Sequence, residues 1–208
     1  MKLNNLADGA NLANFQIFTY TVWEFKDLGD KLPIKSKQKE RLLQAQYIPE
    51  IEIIVAVVKW LHASGWTIEH ISIPHGQGID SISSKANLQM ELALLGIQDG
   101  TVKFVSKGED IRAKQGNTLW RIECKGLGTD LPSSTVRNNF DRALASTVSY
   151  YNRSEGLRLG IALPEEYFRF VKSRLPMALR IALNMWVLLY VRSDSEIYEL
   201  TPNQELPT

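Results

Sequence analysis

Gly108-Glu109-Asp110-Ile111-Arg112-Ala113, a turn over Lys114–Asn117, then Leu119-Trp120-Arg121-Ile122-Glu123-Cys124-Lys125-Gly126: this stretch decides how the chain is read. Side chains on a strand alternate between two faces. In the second piece Trp120, Ile122 and Cys124 therefore point to a core, and Arg121, Glu123 and Lys125 point the other way. Glu123 and Lys125 are two residues apart on one face, about 6.6 Å along the strand. A turn at Lys114–Asn117 folds the Ile111–Ala113 strand back beside Leu119–Cys124 and carries Asp110 toward Glu123.

Working outward, Pro49 opens a helix to Ser64, with Ile53, Ile54, Val57, Val58 and Leu61 at helical spacing and Gly65 as its stop. Trp66–Ile73 alternates as a strand before Pro74. His75–Ser84 reads as a loop, Lys85–Leu95 as a short amphipathic helix and Thr101–Val105 as a short strand. Downstream, Ser133 or Ser134 caps a helix to about Tyr151, with Phe140, Leu144 and Val148 as its apolar line. Leu157–Leu163 is a strand closed by Pro164. Helices follow over Glu165–Leu175 and from Pro176 to about Asn184, and Met185–Val191 is a buried-type strand. Upstream, Phe15–Phe25 favours a strand and Asp27–Lys39 a charged loop, with a basic run at Lys35, Lys37, Lys39 and Arg41. This order predicts an α/β domain with a mixed central sheet flanked by helices. The organisation expected is a single domain over 1–208: a core at about 50–191, an N-terminal extension over 1–47 and a frayed tail over 192–208.

The 208 residues are 44% hydrophobic and 23% charged, values that exclude disordered, collagen-like and coiled-coil classes. Cys124 is the single cysteine, so there is neither an internal disulfide nor a Cys-x-x-Cys metal pair. This fits a reducing compartment, and with no apolar signal core at the N-terminus the chain reads as cytoplasmic. Its longest apolar runs, Ile51–Leu61 and Ile181–Val191, are shorter than the ~20 residues of a membrane span, so no membrane partner is expected. The net charge is +1, unevenly spread: residues 112–192 hold 13 Lys and Arg against 6 Asp and Glu, and the remainder 11 against 17. A basic C-terminal half suits a polyanionic ligand, although lysines and arginines scattered for solubility give the same balance.

Several familiar chemistries are missing. Ser81 stands where a dinucleotide fingerprint beginning Gly76-x-Gly78 needs its third glycine, and no phosphate-cradling loop, His-Glu-x-x-His or Gly-x-Ser-x-Gly elbow occurs. His62, His70 and His75 lack metal-site spacing, and His62 and His70 read as polar decoration. Trp120 and Cys124 read as packing residues. What remains is the pair Asp110 and Glu123. Converging, they could share one Mg²⁺, which takes oxygen ligands, commonly one or two carboxylates with waters. Such an ion polarises a phosphoryl oxygen and acidifies a bound water.

Asp110…Glu123-x-Lys125 resembles the signature of the PD-(D/E)XK nuclease superfamily, the restriction-endonuclease-like fold. The preceding helix, Glu50-Ile51-Glu52…Trp60-Leu61…Gly65-Trp66, is similar to that family's first helix. The resemblance spans about Glu50–Val191 and implies a core of helix, three-stranded meander, helix and strand. It implies Asp110, Glu123 and Lys125 as catalytic residues, with Asp110, Glu123 and an acid of the first helix as ligands to Mg²⁺ or Mn²⁺. Glu52 is the better match for that acid and Glu50 the alternative. The helix after the motif supplies Arg137 and Arg142 as DNA-binding candidates, and the family implies that two copies can pair as a homodimer. The chain departs from the pattern in three ways. Glu109 stands where the family has Pro, Pro74–Asp99 reads as an insertion, and Asp80 is a rival acid far from Glu123.

The expected function is thus Mg²⁺-dependent hydrolysis of DNA phosphodiester bonds. Two alternatives stand beside it: a nucleic-acid-binding protein that keeps the fold without catalysis, and a carbohydrate-directed hydrolase using an acid–base carboxylate pair, which leaves Lys125 without a task. Glu123 and Lys125 could also form a plain surface ion pair. Arg169, Lys172, Arg174 and Arg180 read as a solvated helix face, with a phosphate-facing rim as the other possibility.

Overall fold

The computed structural model of the chain describes residues 47–72, 81–97, 100–105, 107–129 and 131–206. The strand and basic run expected before residue 42, most of the 75–84 loop and the rival acid Asp80 lie outside these residues.

Helix α1 (Glu50–Ala63) leads into β1 (Thr67–Ser72), α2 (Ser81–Leu94) and β2 (Lys103–Val105). Strands β3 (Ile111–Gln115) and β4 (Thr118–Cys124) form a hairpin, followed by α3 (Ser133–Ser149) and β5 (Leu157–Pro164). A 3₁₀ turn (Glu165–Tyr167), α4 (Phe168–Arg174), α5 (Met177–Leu183), β6 (Met185–Val191) and β7 (Glu196–Leu200) complete the order. The described strands make one seven-stranded mixed sheet in the order β2-β1-β3-β4-β5-β6-β7. Pairing is antiparallel for β1/β3, β3/β4 and β6/β7, and parallel for β1/β2, β4/β5 and β5/β6. The protein is therefore an α/β protein with a mixed sheet flanked by helices. Strand β2, which follows the 74–99 region read as an insertion, lies outside β1 at the edge of the described sheet.

Alternation in β4 sorts the two faces as the sequence predicts. Trp120, Ile122 and Cys124 are fully buried on the α1 side. Trp120 is ringed there by Trp60 of α1, Trp66 and Trp186, with ring centroids 5.6, 5.1 and 5.5 Å away. Gly160 of β5 makes this possible, because a Cβ at that position would lie 2.7 Å from Trp120 Nε1. On the other face α3 packs through Val136, Phe140, Ala143 and Thr147. Leu144 is only partly buried and Val148 is exposed, so the apolar line predicted through 140, 144 and 148 is corrected to 136, 140, 143 and 147, spaced four, three and four. Thr147 can face inward because its hydroxyl donates to Ala143 O at 2.9 Å.

Three further expectations change. Pro132 is the N-cap of α3, and neither Ser133 nor Ser134 caps it. The hairpin turn is tighter than expected, since Lys114 and Gln115 belong to β3. The C-terminal segment is not frayed: β7 pairs with β6, and the guanidinium of Arg180 donates to Thr201 O at 2.7 Å and Gln204 O at 2.6 Å. Arg180 is thereby buried, neither solvated nor at a rim, while Arg174 pairs with Asp141 at 2.9 Å.

Candidate active site

The predicted catalytic residues sit where β3 and β4 meet the start of α1. Asp110 immediately precedes β3, and its backbone carbonyl accepts from Ser72 N at 2.7 Å, tying it to β1. Its Oδ2 accepts from Cys124 N at 2.7 Å, which brings its carboxylate to the end of β4 beside Glu123. Lys125 continues the β4–β5 pairing through its amide to Ala162 O at 2.9 Å.

Gly126 then lets α1 approach. Ile48 and Leu127 exchange two backbone hydrogen bonds of 2.8 Å, and a Cβ on Gly126 would lie 2.4 Å from Ile48 O and 2.6 Å from Glu50 N. No side chain fits between these backbones. The close contact sets Glu50 against the strand end, where its Oε2 receives Lys125 Nζ at 2.5 Å. Glu52, two residues on, points elsewhere: it accepts from Tyr190 OH at 2.8 Å and lies 3.9 Å from Arg192. Of the two α1 acids, the structure brings Glu50 to the Asp110, Glu123 and Lys125 group and leaves Glu52 out, the reverse of the preference drawn from sequence.

Two residues of α3 and its C-cap complete the site, and sequence reasoning missed both. Tyr150 OH donates to Glu123 Oε2 at 2.7 Å and lies 3.1 Å from Gly108 O. Ser146, four residues earlier, lies close enough to Glu123 to oppose the rise of its carboxyl. Their (i, i+4) spacing puts them on one helical face, a signal available in the sequence but not distinctive. Arg137 and Arg142 are exposed on α3 and make no contact with the carboxylate group in the described structure.

The electrostatics are those of crowded acids. Burial, then the charges of Glu123 and Glu50, push the Asp110 carboxyl well above the usual carboxylate range, against the Cys124 amide and Lys125. Burial also raises Glu123, with Glu50 adding and the Tyr150 hydroxyl and Lys125 opposing. Negative charge in excess of its cations, in a part-buried setting, suits a hard cation with oxygen ligands. Among the described residues no three His, Cys, Asp or Glu side chains form a ready metal-binding group. Asp110 and Glu123 are the donors such an ion would use, and two carboxylates with waters meet the ordinary needs of magnesium.

Cys124 is buried and free. His62 Nε2 lies 3.2 Å from Leu95 O, and His70 is buried beside Glu109. No described helix is long and apolar enough to cross a membrane. Comparison with protein-family models, with curated proteins and with solved structures returned no match.

Proposed function

We propose that this chain is a Mg²⁺-dependent nuclease that hydrolyses DNA phosphodiester bonds and belongs to the PD-(D/E)XK superfamily, with a restriction-endonuclease-like fold. One observation carries the reading: Asp110, just before β3, receives Cys124 N on its carboxylate at 2.7 Å, which sets it at the end of β4 between Glu123 and Lys125. The series α1, the β1–β3–β4 meander, α3 and β5 supports it, because this is the core that the motif's resemblance implies once α2 and β2 are set aside. The raised affinity of the two carboxyls for protons supports it too, since displaced pKa values cluster at functional sites.

Asp110 and Glu123 would hold Mg²⁺, or Mn²⁺ in its place, and the ion when bound supplies Lewis-acid polarisation of the phosphate and a more acidic water. The protein's own groups do the rest. Glu50 fixes the Lys125 ammonium by an ion pair of 2.5 Å. That ammonium stands where it can orient an attacking water and offset charge growing on the phosphoryl oxygens. Tyr150 holds Glu123 in place. Arg137 and Arg142, exposed on α3, would bind the DNA backbone, giving an affinity that falls with salt.

A cleavage assay on plasmid and single-stranded DNA with Mg²⁺, Mn²⁺ or EDTA tests this, comparing the natural chain with Asp110→Ala and Lys125→Ala. The expected result is cutting with either metal, none with EDTA, and a loss of about 10²–10³-fold or more in each variant. Cutting that survives both substitutions would show the site to be misplaced. DNA that is bound but never cut would establish the non-catalytic binding role instead.

A further inference from the structure

Glu109 stands where the superfamily resemblance expects proline, and it is the most thoroughly enclosed charged residue described, with no exposed surface. Its carboxylate accepts from Arg112 Nε and from Arg121 Nη2, the latter at 2.7 Å, and His70 Nε2 lies 3.5 Å away. Arg121 does not stop there. Its Nη1 donates to Tyr150 O at 3.1 Å, and its guanidinium carbon lies 4.8 Å from the centroid of the Tyr150 ring. Tyr150 in turn donates its hydroxyl to Glu123 Oε2 at 2.7 Å and approaches Gly108 O, the residue before Glu109, at 3.1 Å. The contacts thus form a closed circuit: Glu109 to Arg121 to Tyr150, then both to Glu123 and back to the backbone beside Glu109. Asp110 is the next residue on that backbone.

We propose that Glu109 is a positioning residue for the site, its buried carboxylate aiming Glu123 through Arg121 and Tyr150 while its own backbone places Asp110. The inference rests on the reading of Asp110 and Glu123 as ligands of a divalent ion. The physical reason is specific to this circuit. Glu123 has a flexible side chain among like charges that repel it, so its direction must be imposed from outside. Tyr150 donates to Glu123 at 2.7 Å, and Arg121 locks Tyr150 at both its carbonyl and its ring. Arg121 in turn is held by a carboxylate that cannot move, because the interior encloses it. A proline at 109 would fix the backbone of Asp110 but could do nothing for Glu123. Groups that orient metal ligands commonly matter 10–100-fold for metal affinity.

The test is calorimetric titration of the full chain with Mn²⁺, and separately with Mg²⁺, for the natural protein, Asp110→Ala, Glu109→Gln, Tyr150→Phe and the Glu109→Gln/Tyr150→Phe double variant, with circular dichroism confirming folding. Tyr150→Phe removes one hydroxyl and decides the matter if Glu109→Gln fails to fold. The expected result is binding by the natural protein, none by Asp110→Ala, and a dissociation constant raised about tenfold or more in each single variant. The double variant should be no weaker than the worse single one, because both act through one circuit. A purely structural role would lower the melting temperature of Glu109→Gln and leave the metal affinity of the folded protein unchanged. Single variants within twofold of the natural protein, or losses that simply multiply in the double variant, would overturn the positioning role while the metal site stands. Absence of metal binding in the natural protein, or binding unaltered by Asp110→Ala, would remove the metal site itself and the positioning role with it.

Discussion

Glu109 and Asp110 are consecutive acids, both buried, and their surroundings treat them in opposite ways. Burial alone would raise both. At Glu109 hydrogen bonds from Arg121 and Arg112 overcome it and hold the carboxyl down at about 2. At Asp110 the charges of Glu123 and Glu50 add to the effect of burial, against the Cys124 amide and Lys125. One residue along the chain exchanges a pocket of guanidinium groups for a pocket of carboxylates. The difference teaches that burial does not assign a role; the partners do. A satisfied ion cluster acts as a fastener.

The strongest way to break this comparison is to remove Glu109 altogether. Glu109→Ala leaves the part-buried Arg112 and Arg121 without their counter-ion, and the loss expected is about 2–3 kcal/mol of stability by urea unfolding, below the full cost of breaking a wholly buried pair. A loss below about 1 kcal/mol would mean that the cluster is not the fastener it looks like.

Adding a divalent ion sharpens the comparison from the other side. Mg²⁺ at ten times its dissociation constant should stabilise the natural protein by about 1.4 kcal/mol and raise its melting temperature, and it should do neither for Asp110→Asn. Equal shifts in both proteins would place the ion elsewhere.

Asp110→Asn without metal carries the next effect, opposite in sign to that of Glu109→Ala. The amide keeps an acceptor for Cys124 N and removes a charge that Glu123 and Glu50 repel, so stability at neutral pH should rise. The pH profile divides the same way. The folded pKa of Glu109 lies below its unfolded value of about 4.3, so its contribution is complete above that pH and disappears as pH falls toward about 2. For Asp110 the folded value lies above the unfolded one, so its contribution is present at low pH and disappears as pH rises through the folded value. Denaturation curves from pH 2 to 8 should therefore show Glu109→Gln losing part of the acid-side fall and Asp110→Asn losing part of the fall on the rising side. Profiles that shift in the same direction would contradict the contrast.

The smallest effect concerns ligand contact. Arg137→Ala and Arg142→Ala should each weaken DNA binding a few-fold and flatten the dependence of log affinity on log salt by about one. Unchanged slopes would remove α3 from the DNA-facing surface.

Much of this arrangement was legible in the residues. Alternation in 119–125 separates the tryptophan face from the charged face because a strand buried on one side leaves a period of two. What sequence could not show depended on partners far along the chain. Glu50 and Glu52 differ by about 200° around a helix, and only the contact between Gly126 and the start of α1 decides which of them meets Lys125. Arg180 looks like a solvated charge among apolar neighbours because its acceptors, Thr201 O and Gln204 O, belong to a segment read as a frayed tail. That segment conceals β7, whose Glu196-Ile197-Tyr198-Glu199-Leu200 is too short and too charged to stand out. Glu109 looked like a lost proline, and its role appears only when Arg121, twelve residues on, is folded back against it. In each case a long-range contact decided the matter, and for Glu52, Arg180 and the tail it reversed what the local pattern suggests.

The central claim is that Asp110 and Glu123 jointly hold one divalent ion. Diffraction at the manganese absorption edge from crystals soaked in Mn²⁺ tests it most directly. A single anomalous peak within coordination distance of both carboxylates, lost in Asp110→Ala crystals, is the predicted result; no peak at that position, or one that persists without Asp110, would contradict it.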